Sequence, residues 1–221
     1  IRDRSVHRVG IDGLDRAELA FARELGYRIK LMAVADCTAH GLELFVSPTL
    51  VRVGTPLAEV RGAYNAISVV GDMVGKVLYH GLGAGQAPTA SAVVADLIDT
   101  IVGRTAITFR TLALWGDAPT ALKIADPMSV TSRHYWRLTV EDHPGVLAQI
   151  AGVFAEQDIS IASMIQHEFD VNSSNNSSKN GSTTLVIMTH ETSEGAAQRA
   201  AQHLDDLGFV QAASVRLPVL D

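Results

Sequence analysis

Between His134 and Val219 the apolar residues switch repeatedly between a spacing of two and a spacing near 3.6, and few folds tolerate the resulting order. HYWRLTVE reads as a strand, GVLAQIAGVFAEQ as a helix, SIASMIQHE and STTLVIMTH as strands, SEGAAQRAAQHLDDL as a helix and FVQAASVRLPV as a last strand. Connections this short bring both helices onto one face of an antiparallel sheet, so the pattern predicts a βαββαβ, ferredoxin-like domain over 133–221. The polar stretch VNSSNNSSKNG, 171–181, falls between the two central strands and has nothing with which to build a core, which predicts a mobile hairpin extension.

Upstream, LDRAELAFARELGY places Leu14, Leu19, Ala22 and Leu25 near helical spacing, with Asp12 as the expected N-cap and Gly26 as the stop. YRIKLMAVAD and LELFVSPTLVRV suit adjacent strands, and NAISVVGDMVGKVLYHG suits a strand pair around Gly71 and Asp72. TASAVVADLIDTIVGR then carries a helical apolar stripe from a candidate cap at Thr89 to Gly103. The expected class is α+β: a single mixed sheet with helices on one face over 1–115, a linker over 116–132 where Gly116, Pro119 and Pro127 break the periodicity, and then the βαββαβ domain.

A chain of 221 residues, 47% hydrophobic and 19% charged, can bury one large or two ordinary cores. Its net charge of −6 excludes nucleic acid and anionic membrane as natural partners, because either requires a basic surface. No apolar run approaches the roughly 20 residues that span a bilayer, so the cytoplasm is the expected compartment. The single cysteine, Cys37, lies in an apolar stretch and reads as a small buried side chain without a partner nucleophile site. Lys30 reads as a lysine snorkelling from a strand, Asp72 with Lys76 as a hairpin ion pair, and the histidines lack metal-ligand spacing, so no metal is expected.

Asp142-His143-Pro144-Gly145-Val146-Leu147 joins the first strand of the βαββαβ unit to its first helix. Free N–H groups and the positive helix end face outward at such a junction and suit a carboxylate. Pro144 loses no hydrogen bond there, and Gly145 admits a close approach. The alternative is a turn that only connects, with His143 on the surface and Asp142 an ordinary cap. A second candidate loop, Gly81-Leu82-Gly83-Ala84-Gly85-Gln86-Ala87-Pro88-Thr89, leads from a strand into a helix with its backbone bare. Its spacing is not the G-x-G-x-x-G of a dinucleotide fingerprint, and by itself it reads first as a tight turn packing helix on sheet and only second as a binding loop.

DHPGVLAQIAGVFAEQDISIASMIQ resembles the opening half of an ACT domain. Gly10-Ile11 with Leu14, ELGYRIKLMAVA at Glu24 to Ala35, P-x-L at Pro48 to Leu50, PLAEVRGAYNAISVVGD at Pro56 to Asp72 and GLGAGQAPTASAVVADL at Gly81 to Leu97 resemble homoserine dehydrogenase, segment after segment across nearly all of 9–104. That resemblance implies reduction of aspartate 4-semialdehyde to homoserine with NADPH or NADH. It implies that Gly83, Ala84 and above all Gly85 approach the nicotinamide end of the cofactor by backbone, with Thr89 nearby. It also implies that residues 142–147 frame a free amino acid, threonine foremost, between paired ACT domains of a homodimer or higher homo-oligomer. The family's catalytic lysine and acidic residues lie upstream of the Gly-Ile stretch, so no catalytic side chain is expected in this chain and it is expected to be inactive by itself. The competing reading is a non-catalytic amino-acid-sensing or assembly module.

Overall fold

The structure is a computed structural model that describes residues 6–112, 123–167 and 181–221. In chain order it carries β1 (His7–Arg8), α1 (Arg16–Glu24), β2 (Tyr27–Thr38), β3 (Gly41–Arg52), β4 (Tyr64–Gly71), β5 (Gly75–Leu82), α2 (Gln86–Ile101) and α3 (Arg104–Thr111). After a 3-10 turn at Pro127–Ser129 come β6 (Thr131–Glu141), α4 (Val146–Glu156), β7 (Ile161–His167), β8 (Ser182–Thr189), β9 (Thr192–Ser193), α5 (Glu194–Asp205) and β10 (Val215–Leu220). The expected connector, 116–132, is described only from Lys123, and the expected extension, 171–181, only at Gly181. The chain divides into two compact units, 1–53 with 123–221, and 54–122.

In the larger unit β6-α4-β7-β8-α5-β10 is the expected βαββαβ arrangement, with antiparallel neighbours in the order β10-β6-β8-β7. Trp136, Leu138 and Val140 alternate along β6 onto one face, where they meet Ile150, Val153 and Phe154 of α4 and Ala197, Ala200 and Leu204 of α5. Phe154 stands edge-on to Trp136, with ring centroids 5.1 Å apart. Each of these large side chains contributes roughly 1.5–3 kcal/mol by leaving water.

The α+β class and the mixed sheet are as expected, but the strands divide differently. β3 pairs antiparallel with β2 along its whole length, from Tyr27↔Arg52 to Thr38↔Gly41. Its other edge pairs parallel with β1 at His7↔Phe45 and with β10 at Val219↔Leu50. β1, β2 and β3 therefore join the same sheet as the βαββαβ strands, while β4 and β5 form a sheet of their own. The cause is visible in β3 itself, where Ser47 to Val51 is buried residue after residue, as in a strand covered on both faces. β8 is likewise buried from Thr183 to Thr189. Its Leu185 and Ile187 face α4 and α5, whereas Val186 and Met188 join Tyr135, Leu217, Leu50 and Ala22 of α1 on the opposite face. This unit thus has helices on both sides of its sheet.

Helix α1 starts three residues later than Asp12 would allow. Asp15 is its N-cap: the carboxylate accepts from Ala17 N at 2.6 Å, and Glu18 accepts in return from Asp15 N at 2.9 Å, a reciprocal capping box. Gly26 follows the helix at φ +83°, the stop that was expected. Cys37 is exposed, opposite Leu42 near the hairpin end, and so is not the buried side chain its apolar neighbours suggested.

In the smaller unit β4 and β5 form the expected hairpin, from Tyr64↔Leu82 to Gly71↔Gly75. Lys76 lies opposite Val70, and among the described residues no ion pair joins it to Asp72. α2 ends at the expected place, but Gly103, at φ +78°, starts a further helix, α3, that the apolar pattern did not predict. Val93, Val94, Leu97 and Ile98 of α2 are at least half exposed, an apolar face of the kind that marks a contact surface. Among the described residues no helix is long and apolar enough to cross a membrane.

Candidate functional site

The glycine loop sits where β5 gives way to α2. Gly85 is the N-cap, at φ +124° and ψ 153°, a backbone conformation essentially reserved for glycine. Thr89 is therefore not the cap: it lies a turn inside the helix, and its N–H donates to Gly85 O at 3.1 Å. The earlier start follows from Pro88, which a first turn accepts because its N–H is not needed there. Gly83, Ala84, Gly85 and Thr89 are all exposed. The two outer glycines differ in why they are glycine. A Cβ on Gly83 would run into the Asn65 amide at 1.7 Å, whereas one on Gly85 would meet only Pro88 at 3.4 Å. Gly83 serves packing, while Gly85 serves backbone shape and leaves its outer side open.

The second loop ends β6. Asp142 donates its N–H to Gly181 O at 2.6 Å, and three residues on Gly145, at φ +97°, is the N-cap of α4 without any side-chain cap bond. Asp142 is thus not the cap of this helix. Val146 is buried and anchors the turn, while Asp142, His143, Pro144, Gly145 and Leu147 are exposed. The His143 ring stands edge-on to Phe209 at 6.1 Å and its Nε2 is 3.8 Å from Glu141. The helix start is bare of a capping side chain and borders open solvent, so although Val146 N–H donates to His143 O at 3.4 Å, the next N–H groups, of Leu147 and Ala148, remain available to an anion.

Two charged clusters in the larger unit were not singled out from the sequence. In the first, Arg216 of β10 grips Glu194 with both nitrogens, at 2.5 and 2.6 Å, and lies 5.7 Å over the Trp136 ring. His7 Nε2 is 3.5 Å from the same carboxylate, and His134 Nε2 is 3.0 Å from Arg216. Burial works to raise the Glu194 pKa, but the hydrogen bonds from Arg216 and the charges of Arg216 and His7 outweigh it and hold the carboxyl at about 2. Burial pushes His134 down, so its ring is neutral. Nε2 then accepts from Arg216, which leaves the proton on Nδ1, a buried atom without a partner. A cavity of about 30 Å³ beside the cluster, lined by His7, Ser47, Ser132, Glu194 and Arg216, has room for a single water.

In the second cluster Arg137 of β6 pairs through Nε with Glu18, whose side chain is wholly buried. Burial and the neighbouring Asp15 raise the Glu18 pKa, and Arg137 opposes them. The sequence signal that was available here is the Asp15-x-x-Glu18 capping box, passed over in favour of Asp12. Among the described residues no group of three or more His, Cys, Asp and Glu is placed to hold a metal ion.

Comparison with known proteins decides what these loops belong to. Residues 1–98 match the family model for homoserine dehydrogenase, and residues 137–209 match that for the ACT domain. Homoserine dehydrogenase of Pseudomonas aeruginosa is 38% identical over 95% of the chain, and that of Neisseria gonorrhoeae is 40% identical over 91%. The chain combines a homoserine dehydrogenase segment with an ACT domain. It spans about half the length of these relatives, 48% and 45%. A crystal structure of a homoserine dehydrogenase from Thiobacillus denitrificans matches all of the chain and 48% of its own length, at 34% identity and TM-score 0.82. The glycine loop lies in the homoserine dehydrogenase segment, and residues 142–147 lie in the ACT segment.

Proposed function

We propose that the chain supplies the nicotinamide-facing loop and the sensing domain of an NAD(P)-dependent homoserine dehydrogenase, which interconverts aspartate 4-semialdehyde and homoserine in the cytoplasm and answers to threonine. The observation that carries the reading is Gly85. Within a segment matching this family, an exposed helix start is held at φ +124° with its outer side open, so a flat ring can rest against backbone. The loop fits the cofactor by that test, and Gly83, Ala84, Gly85 and Thr89 are the residues that would hold its nicotinamide end. The bound dinucleotide supplies the hydride. The chain's own contribution is to position the ring and keep bulk away from it. We assign no catalytic side chain within these 221 residues.

Residues 142–147 are the proposed effector turn. The bare start of α4 offers N–H groups to an amino acid's carboxylate, Gly145 clears the approach, and Leu147 offers an exposed apolar contact. A homodimer or larger homo-oligomer completes this site with a second ACT domain. The deciding experiment is steady-state kinetics of the full-length enzyme carrying Gly85→Val. A rise of tenfold or more in the KM for dinucleotide, with the fold retained, is expected, and an unchanged KM refutes the placement of the ring. A thermal-shift screen with threonine, isoleucine, methionine and homoserine tests sensing, because a ligand of the folded state raises the midpoint by mass action.

A further inference from the structure

The ACT strands do not hang from the dehydrogenase segment by a tether. One edge of their sheet is closed by β3, through Val219↔Leu50 and Leu220↔Val51. The face away from α4 and α5 is closed by α1, with Ala22 wholly buried against Leu50, Tyr135 and Leu217. Three charged contacts stitch the same seam. Arg137 of β6 holds Glu18 of α1, and Arg216 of β10 holds Glu194, which His7 of β1 also approaches. Past the end of β10, Asp221 accepts from Tyr27 of β2 at 2.8 Å and pairs with Arg133.

Strand β6 relates all of this to the effector turn. It runs directly into Asp142, and along its length it carries Arg133, His134 and Arg137. Arg137 lies five residues before Asp142, about 17 Å along an extended strand. A tilt or shift of β6 imposed at the turn therefore moves partners of α1, β1 and β2 directly.

Resting on the regulatory reading above, we infer that residues 6–53 and the ACT domain act as one body, with Glu18–Arg137 and Glu194–Arg216–His7 as positioning contacts that carry an effector's signal into the dehydrogenase segment. A body of this kind opens as one cooperative unit, whereas a tethered sensor opens separately. Any ligand of the full-length enzyme that biases this body couples reciprocally to the effector.

Native-state hydrogen exchange of the full-length enzyme over a denaturant series tests the body without any ligand. Amides of α1 and β3 are expected to share one opening with those of β6, β8 and β10. An opening that releases β6, β8 and β10 while α1 and β3 stay protected overturns the inference. The second measurement is calorimetric binding of L-threonine with and without homoserine and dinucleotide. Glu18→Gln and Glu194→Gln, singly and together, keep hydrogen bonding but remove the charge. They are expected to shrink the ratio of the two affinities at least fivefold while kcat stays within twofold. A ratio equal to the parent's overturns the positioning role. A parent enzyme that binds no threonine refutes the sensing reading, and the exchange pattern then decides the single body by itself.

Discussion

Arg137 and Glu18 lie 119 residues apart in the chain, yet the guanidinium of one closes on the buried carboxylate of the other. Glu18 also completes the cap of α1, so one side chain both starts a helix and fastens it to the sheet. Removing Arg137 leaves the wholly buried Glu18 carboxylate without its partner, whereas Glu18→Gln keeps an acceptor for the less deeply buried guanidinium and loses only the countercharge. Arg137→Met is expected to cost about 3 kcal/mol of stability and Glu18→Gln about 1 kcal/mol, with the double variant less damaged than the sum. Urea denaturation of the four proteins checks this, and simple additivity would contradict it.

Acid should attack the Glu194 cluster first. The carboxyl titrates at about 2 when folded against an ordinary 4.5, so the folded state binds fewer protons between those values. The stability it confers is fully present above pH 4.5 and is lost as pH falls toward 2, about 3 kcal/mol in all. His134 acts in the same direction from a higher pH. Kept neutral by burial, it gives the unfolded chain a proton-uptake advantage once pH drops through 6.5. Glu194→Gln is therefore expected to lower stability at pH 7 and to flatten the limb between pH 4.5 and 2. Guanidinium midpoints measured from pH 7 downward report both effects.

Two glycines of one helix should respond oppositely to alanine. Gly145 caps α4 at φ +97° with nothing near its absent Cβ, so Gly145→Ala carries a backbone cost of about 1–2 kcal/mol. Gly152 lies inside the same helix, also with open space around it, and Gly152→Ala should add roughly 0.5–1 kcal/mol. Thermal midpoints moving down for the first and up for the second are the expected result.

Phe154 is wholly buried against Trp136, and truncating it to alanine is expected to cost about 4 kcal/mol. Because α1 covers the other face of the same sheet, its helical signal should melt with the ACT strands. Amide exchange of Phe21 to Leu25, followed through the transition, checks that shared loss.

The βαββαβ unit was legible because each strand and helix announces itself locally, by a period that switches between Trp136, Ile150 and Leu185. The hairpins were legible for the same reason, and Gly26 marked the end of α1 correctly. What local pattern does not carry is pairing between distant strands. Nothing around Leu50 names Val219 as its neighbour, and the unbroken burial of Ser47 to Val51 shows only once the sheet has formed. α3 was lost because Gly103 reads as a stop, although in fact it ends one helix and starts the next. In the glycine loop the residue types were right but the register was not. Pro88 let the helix begin at Gln86 instead of near Thr89. The charged clusters escaped because Glu18, His134, Glu194 and Arg216 are scattered singly and converge only when the sheet closes.

The parallel register of Leu50 with Val219 also sets a timetable for biogenesis. Strand β3 is made about 170 residues before the strand that pairs with its edge at Leu50 and Val51. At roughly 5–20 residues per second the nascent chain must shelter that edge for on the order of ten seconds. An edge left open for that interval can pair with another chain, so crowding of nascent chains works against correct folding.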